Sequence, residues 1–269
     1  MQNKVVEDMP ALEYHSFEAL SASGAKMLMK TPAHYLASRE QSAPTKAMIL
    51  GTVVHTMVLE PEKFESEVAV APKFDMRTKF GKQAREEFEE SSKGKLVIDE
   101  FEHEKARGIS ESLRAHPFFI EYVKDGTAET TMLWEQYGVQ CKARVDYIAK
   151  DVIYDVKTCQ DASPAGFSRQ IANFKYHMQA AHYLMGRKRL VGTNIEPSRF
   201  VFLAVESSPP YSVGIYSLTR ESLQLGAEGM KQAAERYIQI GEDKPTQHYT
   251  DGLQEISLPG WMFTSEDMA

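Results

Sequence analysis

Between residues 139 and 158 apolar and polar side chains alternate with the period of two that a β-strand requires. Val145, Tyr147, Ala149, Val152, Tyr154 and Val156 fall in one set, and Arg144, Asp146, Ile148, Ile153, Asp155 and Lys157 in the other. The pattern predicts a hairpin reversing at Lys150 and Asp151, with one face in the core and the other carrying charge. In that register Ala149 meets Val152, Ile148 meets Ile153, Tyr147 meets Tyr154, and Asp146 meets Asp155. The reversal lacks the glycine favoured in two-residue turns, and a four-residue loop would preserve the same pairing.

Elsewhere the pattern is mostly helical. A helix capped by Ser21 or Ser23 runs toward Thr31-Pro32, a second starts at Pro32 and fades near residue 41, and a third spans residues 45–59. The third is apolar nearly all round and is expected to be buried. Residues 79–95 read as a charged helix and 100–116 as another, stopped by Pro117. Strands are expected at 129–136, 139–149 and 152–158, forming a meander. A long amphipathic helix over 164–190 follows, then strands at 199–205 and 211–217 and a helix over 220–240. This order predicts an α/β fold in which helices flank a mixed sheet. Residues 1–13 carry no periodic signal and read as a flexible arm. Residues 14–242 form the domain, and 243–269 a tail whose Leu258, Trp261, Met262 and Phe263 suggest docking on the core or a neighbouring subunit.

Composition narrows the class. With 269 residues, 42% hydrophobic and 26% charged, the chain suits one large soluble domain. It has no apolar run of membrane-spanning length and no signal-peptide core at its start, so no membrane association and a cytoplasmic location are expected. The two cysteines, Cys141 and Cys159, are too few for a four-cysteine zinc or iron–sulfur site and are expected to be reduced, buried thiols. A net charge of −7 argues against a general nucleic-acid coat and leaves room for a local basic surface. Candidates are Arg187-Lys188-Arg189, residues 73–85, and Lys26 with Lys30.

The hairpin carries the chemistry. Carboxylates facing each other across two strands are destabilising unless a cation lies between them. Hard oxygen donors, with remaining positions left to water and phosphate, suit Mg²⁺ or Mn²⁺ better than zinc. Lys157 projects from the same face as Asp155, where it can orient or deprotonate a metal-activated water or offset charge building on a phosphate. His55 on the buried helix, Glu129 at the start of the preceding strand, and Gln179 with Tyr183 at i and i+4 on the long helix join this set once it is taken as a metal site.

A histidine-bearing helix, a distal aspartate, Asp-x-Lys some ten residues on and Gln-x-x-x-Tyr on the next helix together resemble the PD-(D/E)XK nucleases of RecB type. More narrowly, Leu20-Ser21-Ala22-Ser23, Thr31-Pro32-Ala33-His34-Tyr35 and Gly51-Thr52-Val53-Val54-His55 resemble the RecE (exonuclease VIII) nucleases, over residues 14–240. Val145 stands where the family's name has proline. The resemblance implies a restriction-endonuclease-like core in which Asp146, Asp155, the Val156 carbonyl and His55 hold the metal. It further implies that Lys157 activates water, Glu129 supports the metal site, and Gln179 and Tyr183 steady it or contact DNA. The implied activity is Mg²⁺-dependent digestion, with Mn²⁺ as a substitute, of linear double-stranded DNA with free ends from 5′ to 3′. A homo-oligomeric ring, trimeric or tetrameric, would pass its 3′ tails to a single-strand annealing protein of RecT type in recombination and repair. Alternative readings are an endonuclease or single-strand nuclease using the same site, and a noncatalytic DNA-binding module of the same fold.

Overall fold

The computed structural model describes residues 3–7, 9–40, 43–191, 199–240, 249–250 and 252–258. In chain order the elements are β1 (Lys4–Val6), α1 (Ala11–Ser16), α2 (Ala22–Leu28), α3 (Pro32–Ser38), α4 (Lys46–Leu59), α5 (Phe64–Glu67), β2 (Val68–Ala71), α6 (Lys79–Ser91), β3 (Leu96–Asp99) and α7 (Glu100–Arg114). They continue with α8 (Pro117–Tyr122), β4 (Thr127–Gln136), β5 (Val139–Ala149), β6 (Val152–Cys159), α9 (Pro164–Asn173), α10 (Tyr176–Val191), β7 (Arg199–Glu206), β8 (Val213–Ser217) and α11 (Arg220–Gln239).

Six strands form one mixed sheet in the order β1-β4-β5-β6-β7-β8, with only the β6–β7 pair parallel. The expected meander is β4-β5-β6. Both faces of the sheet are core. On β7, Phe200, Phe202 and Ala204 pack with α2, α9, α10 and α11, while Val201, Leu203 and Val205 pack with α4 and α7. A strand buried on both faces reads as an apolar run, as it does here. The expectation that one face of the hairpin would be free for chemistry is therefore corrected: helices cover both, and the charges collect at a local defect described below.

Local sequence explains most element ends. Ser21, Thr31 and Thr45 accept hydrogen bonds from Gly24, His34 and Met48 N–H, capping α2, α3 and α4. Asp99 and Glu102 make a reciprocal capping box on α7. The hairpin turns at Lys150 and Asp151 without glycine because Lys150 adopts φ 53°. Pro117 stops α7 as expected and also opens α8, with His116 as its cap.

Three expectations are revised. The helix read over 164–190 is two helices, because Lys175 takes φ 53° between them. The segment read as a flexible arm contributes β1 at the sheet edge, and the Lys142 ammonium donates to the Tyr14 and Phe17 carbonyls at 2.9 and 2.7 Å, holding α1 against β5. α4 buries Val53, Val54 and Val58, yet Met48 in its first turn is exposed. Leu258 is exposed, and the docking residues Trp261, Met262 and Phe263 lie outside the described residues. Both cysteines are free and buried, and burial pushes their thiols up to about 12 for Cys141 and about 11 for Cys159. Among the described residues no helix is long and apolar enough to cross a membrane.

α10 lies close against β4 because Gly186 has no side chain: a Cβ there would meet the Trp134 ring at 2.8 Å. One turn earlier the His182 ring sits 4.5 Å from the Trp134 ring, with Nε2 3.1 Å from the Lys142 carbonyl. Burial pushes this imidazole down to about 4, against the opposing carbonyls of Lys142 and Leu20. Because the folded value lies below the unfolded one, this contribution is complete above about pH 6.5 and is lost as pH falls toward 4. In that window His182→Gln should reduce the slope of folding free energy against pH by up to about 1.4 kcal/mol per pH unit, one proton's worth, measured by urea denaturation.

Candidate active site

β5 and β6 pair in the register that the alternation predicts, but only through Ala149–Val152, Ile148–Ile153 and Tyr147–Tyr154. At the next position the strands part. The Val156 N–H donates to Asp146 Oδ2 at 2.8 Å, so a carboxylate takes a bond that the ladder no longer supplies. Across Asp146 on the other side lies Glu129, which β4 holds at φ 49° and whose neighbours Ala128 and Thr130 remain paired with Tyr147 and Val145. Here the alternation of β5 breaks. Val145 and Ile148 pack in the same core, and Tyr147 and Ala149 in the opposite one. The defect lets acidic groups from three strands meet inside a sheet.

Two clusters flank the fork. In the first, His55 from α4 places Nε2 2.9 Å from the Val156 carbonyl oxygen and 3.5 Å from Asp146 Oδ2. One ligand atom each from His55, Glu129 and Asp146 lies within 4.8 Å of the other two. They open into a cavity of about 560 Å³ lined also by Thr52, Thr56 and Arg144, and Arg144 forms an ion pair with Glu129. In the second, Asp155 is fully buried; its Oδ1 accepts from Gln179 Nε2 at 2.6 Å, and its Oδ2 lies 2.6 Å from Lys157 Nζ. The Lys157 ammonium is thus the near neighbour of this buried oxygen. The Tyr183 hydroxyl donates to the Arg144 carbonyl at 3.0 Å, fixing β5 just before the fork.

The electrostatics are those of crowded acids. Burial raises the Asp146 carboxyl above its usual range, His55 opposing and Asp155 reinforcing. Burial and the Asp146 charge likewise raise Glu129, against Arg144. Burial alone would lower the Lys157 ammonium, but Asp155 and Asp146 together outweigh it and hold the lysine above its ordinary value.

A divalent ion fits this donor set. An octahedral Mg²⁺ with bonds near 2.1 Å places adjacent ligand atoms about 3 Å apart, and the His55–Val156 and His55–Asp146 separations are of that size. Asp155 Oδ2, paired with Lys157, is a further hard oxygen at the same fork. The expected residues are thus divided: His55, Glu129, Asp146 and the Val156 carbonyl converge, while Asp155, Lys157 and Gln179 form an adjacent group. Tyr183 touches neither carboxylate through the bonds above. Sequence reading passed over Arg144, two residues before Asp146, and Tyr176, whose spacing to Gln179 and Tyr183 is the i, i+3, i+7 of one helix face.

A sequence-family model described as a PDDEXK-like domain of unknown function (DUF3799) matches residues 21–254. Among curated proteins, none matches the chain. Among solved structures, a presumed exonuclease from Eubacterium rectale superposes with a TM-score of 0.65, covering 94% of this chain and 97% of its own at 18% identity. At that identity the likeness is one of fold. A phage related exonuclease from Haemophilus somnus 129PT covers 84% of this chain and 97% of its own at 11% identity, but its TM-score of 0.33 carries no argument.

Replacing Gln179 by leucine keeps the volume and removes the donor to Asp155. We expect a loss of about 1–3 kcal/mol in urea denaturation, the cost of an unsatisfied buried acceptor.

Proposed function

The chain belongs to the DUF3799 family of PDDEXK-like domains, and on that premise we propose that it is a metal-dependent nuclease degrading linear double-stranded DNA from 5′ to 3′. The observation that carries this reading is the fork itself. Asp146 bonds the Val156 amide where β5 and β6 part, His55 lies 2.9 Å from the Val156 carbonyl, and the Asp155–Lys157 pair sits adjacent.

In this reading Asp146, Asp155, the Val156 carbonyl and His55 would hold a divalent ion, and Glu129, paired with Arg144, would support it. Mg²⁺, or Mn²⁺ as substitute, would supply Lewis-acid chemistry there, polarising a phosphate and lowering the pKa of a bound water. Lys157, held protonated by its two carboxylates, orients that water and offsets the charge that builds on the phosphate. Gln179 keeps Asp155 in place and Tyr183 keeps β5 in place, so the donors need not reorganise as the reaction proceeds.

The choice of free duplex ends and of 5′ polarity rests on the RecE-like motif order from Leu20 to His55, as does delivery of 3′ tails to a RecT-type annealing protein. A net charge of −7 suits a ring-shaped oligomer with a basic lining only on its inner wall.

The test is a time course on linear duplex labelled separately at its 5′ and 3′ ends, with Mg²⁺ and with EDTA. Early loss of the 5′ label alone in Mg²⁺ is expected, and circular plasmid should survive. Digestion of circles would instead make the enzyme an endonuclease, and no digestion with any metal would leave a binding module. Lys157→Ala should slow cleavage by about a hundredfold or more while DNA binding persists. Undiminished cleavage in that variant, purified free of contaminating nuclease, removes Lys157 from the reaction. Asp146→Asn should also weaken Mn²⁺ binding in titration calorimetry by at least about tenfold.

A further inference from the structure

Two ammonium groups attend one aromatic ring beside the fork. Lys157 Nζ lies 5.2 Å from the centroid of the Tyr176 ring, and Lys26 Nζ lies 4.9 Å from it. Lys157 has its counter-charge in Asp155 at 2.6 Å. Among the described residues Lys26 has no carboxylate within ion-pair distance, although burial, reinforced by the Lys157 charge and opposed by Asp155, lowers its ammonium to about 8. A cation withdrawn from water without an anion is costly, and an anionic ligand relieves the cost.

Lys26 is also held in place. Leu20 exchanges backbone hydrogen bonds with Gln140 and Lys142 of β5 at 2.8 and 3.0 Å, Ser21 caps α2, and Arg236 of α11 donates to the Leu28 carbonyl at 2.7 Å. Other basic groups are differently placed: Lys30 is exposed, Arg77 and Arg85 pair with Asp75 and Glu89, and Arg187 donates to the Lys150 carbonyl.

We propose that Lys26 binds a phosphate of the substrate strand adjacent to the one being cleaved, with the Tyr176 ring spacing it from Lys157. This inference rests on the nuclease reading above. It assigns Lys26 to the nonbridging oxygens of a phosphodiester and makes α2 part of the DNA interface.

The experiment uses the full chain with Lys26→Gln and Lys26→Arg. Binding to linear duplex is followed by fluorescence anisotropy in EDTA over a range of salt, and cleavage is measured in Mg²⁺. Lys26→Gln should weaken binding about tenfold at low salt and reduce the slope of log affinity against log salt by about one. KM should rise more than kcat falls, and Lys26→Arg should restore both readouts. Wild-type affinity and slope in Lys26→Gln overturn the inference. So does an affinity loss that arginine does not restore and that accompanies a lower melting temperature, since the lysine would then only pack. A wild-type chain that neither binds nor cleaves DNA overturns the nuclease reading itself, whereas normal cleavage with an unaffected Lys26→Gln overturns the Lys26 assignment alone.

Discussion

The arrangement depends on one hydrogen bond, from the Val156 amide to the Asp146 carboxylate. Two strands that pair normally at Tyr147 and Tyr154 cannot separate one residue later in a buried sheet without leaving donors and acceptors unsatisfied. The side chain of Asp146 supplies what the neighbouring backbone no longer provides. The Val156 carbonyl, freed by the same parting of the strands, faces His55 instead of a ladder partner. The defect and the donor set are one feature, since parting the strands exposes the groups that hold them apart.

Its surroundings make the defect tolerable. α4 and α7 cover one face of the sheet, and α2, α9, α10 and α11 the other. Each cover also delivers a polar side chain to the fork: His55 from the first and Gln179 from the second. Burial raises Asp146 and Glu129, and the cations and donors that converge on them oppose it. Structural and chemical demands coincide, because a buried acidic cluster is stable to the extent that it is paired.

Much of this was legible in the sequence. The alternation on either side of Lys150 and Asp151 gave the hairpin and its register, and the apolar run at residues 199–205 gave a strand buried on both faces. What the alternation concealed was its own interruption. Val145 and Tyr147 share a parity in sequence but pack in opposite cores, at the point where Glu129 of the facing strand takes a positive φ. The break at Lys175 was hidden for a related reason, since no glycine or proline marks it. The contacts of Asp155 with Lys157 and Gln179 set it beside the His55–Glu129–Asp146 group instead of inside it. A strand pattern gives the parity of a residue and not the twist that decides which neighbour it meets.

The fork draws on elements from α4 to α10, so the order of synthesis matters. His55, Glu129, Asp146 and Lys157 all leave the ribosome before Gln179, and β7, the parallel neighbour of β6, follows later still. Until those last elements dock, Asp155 has neither its amide partner nor the strand that buries it. A nascent or truncated chain ending before α10 therefore carries the acids and the lysine without the frame that aligns them.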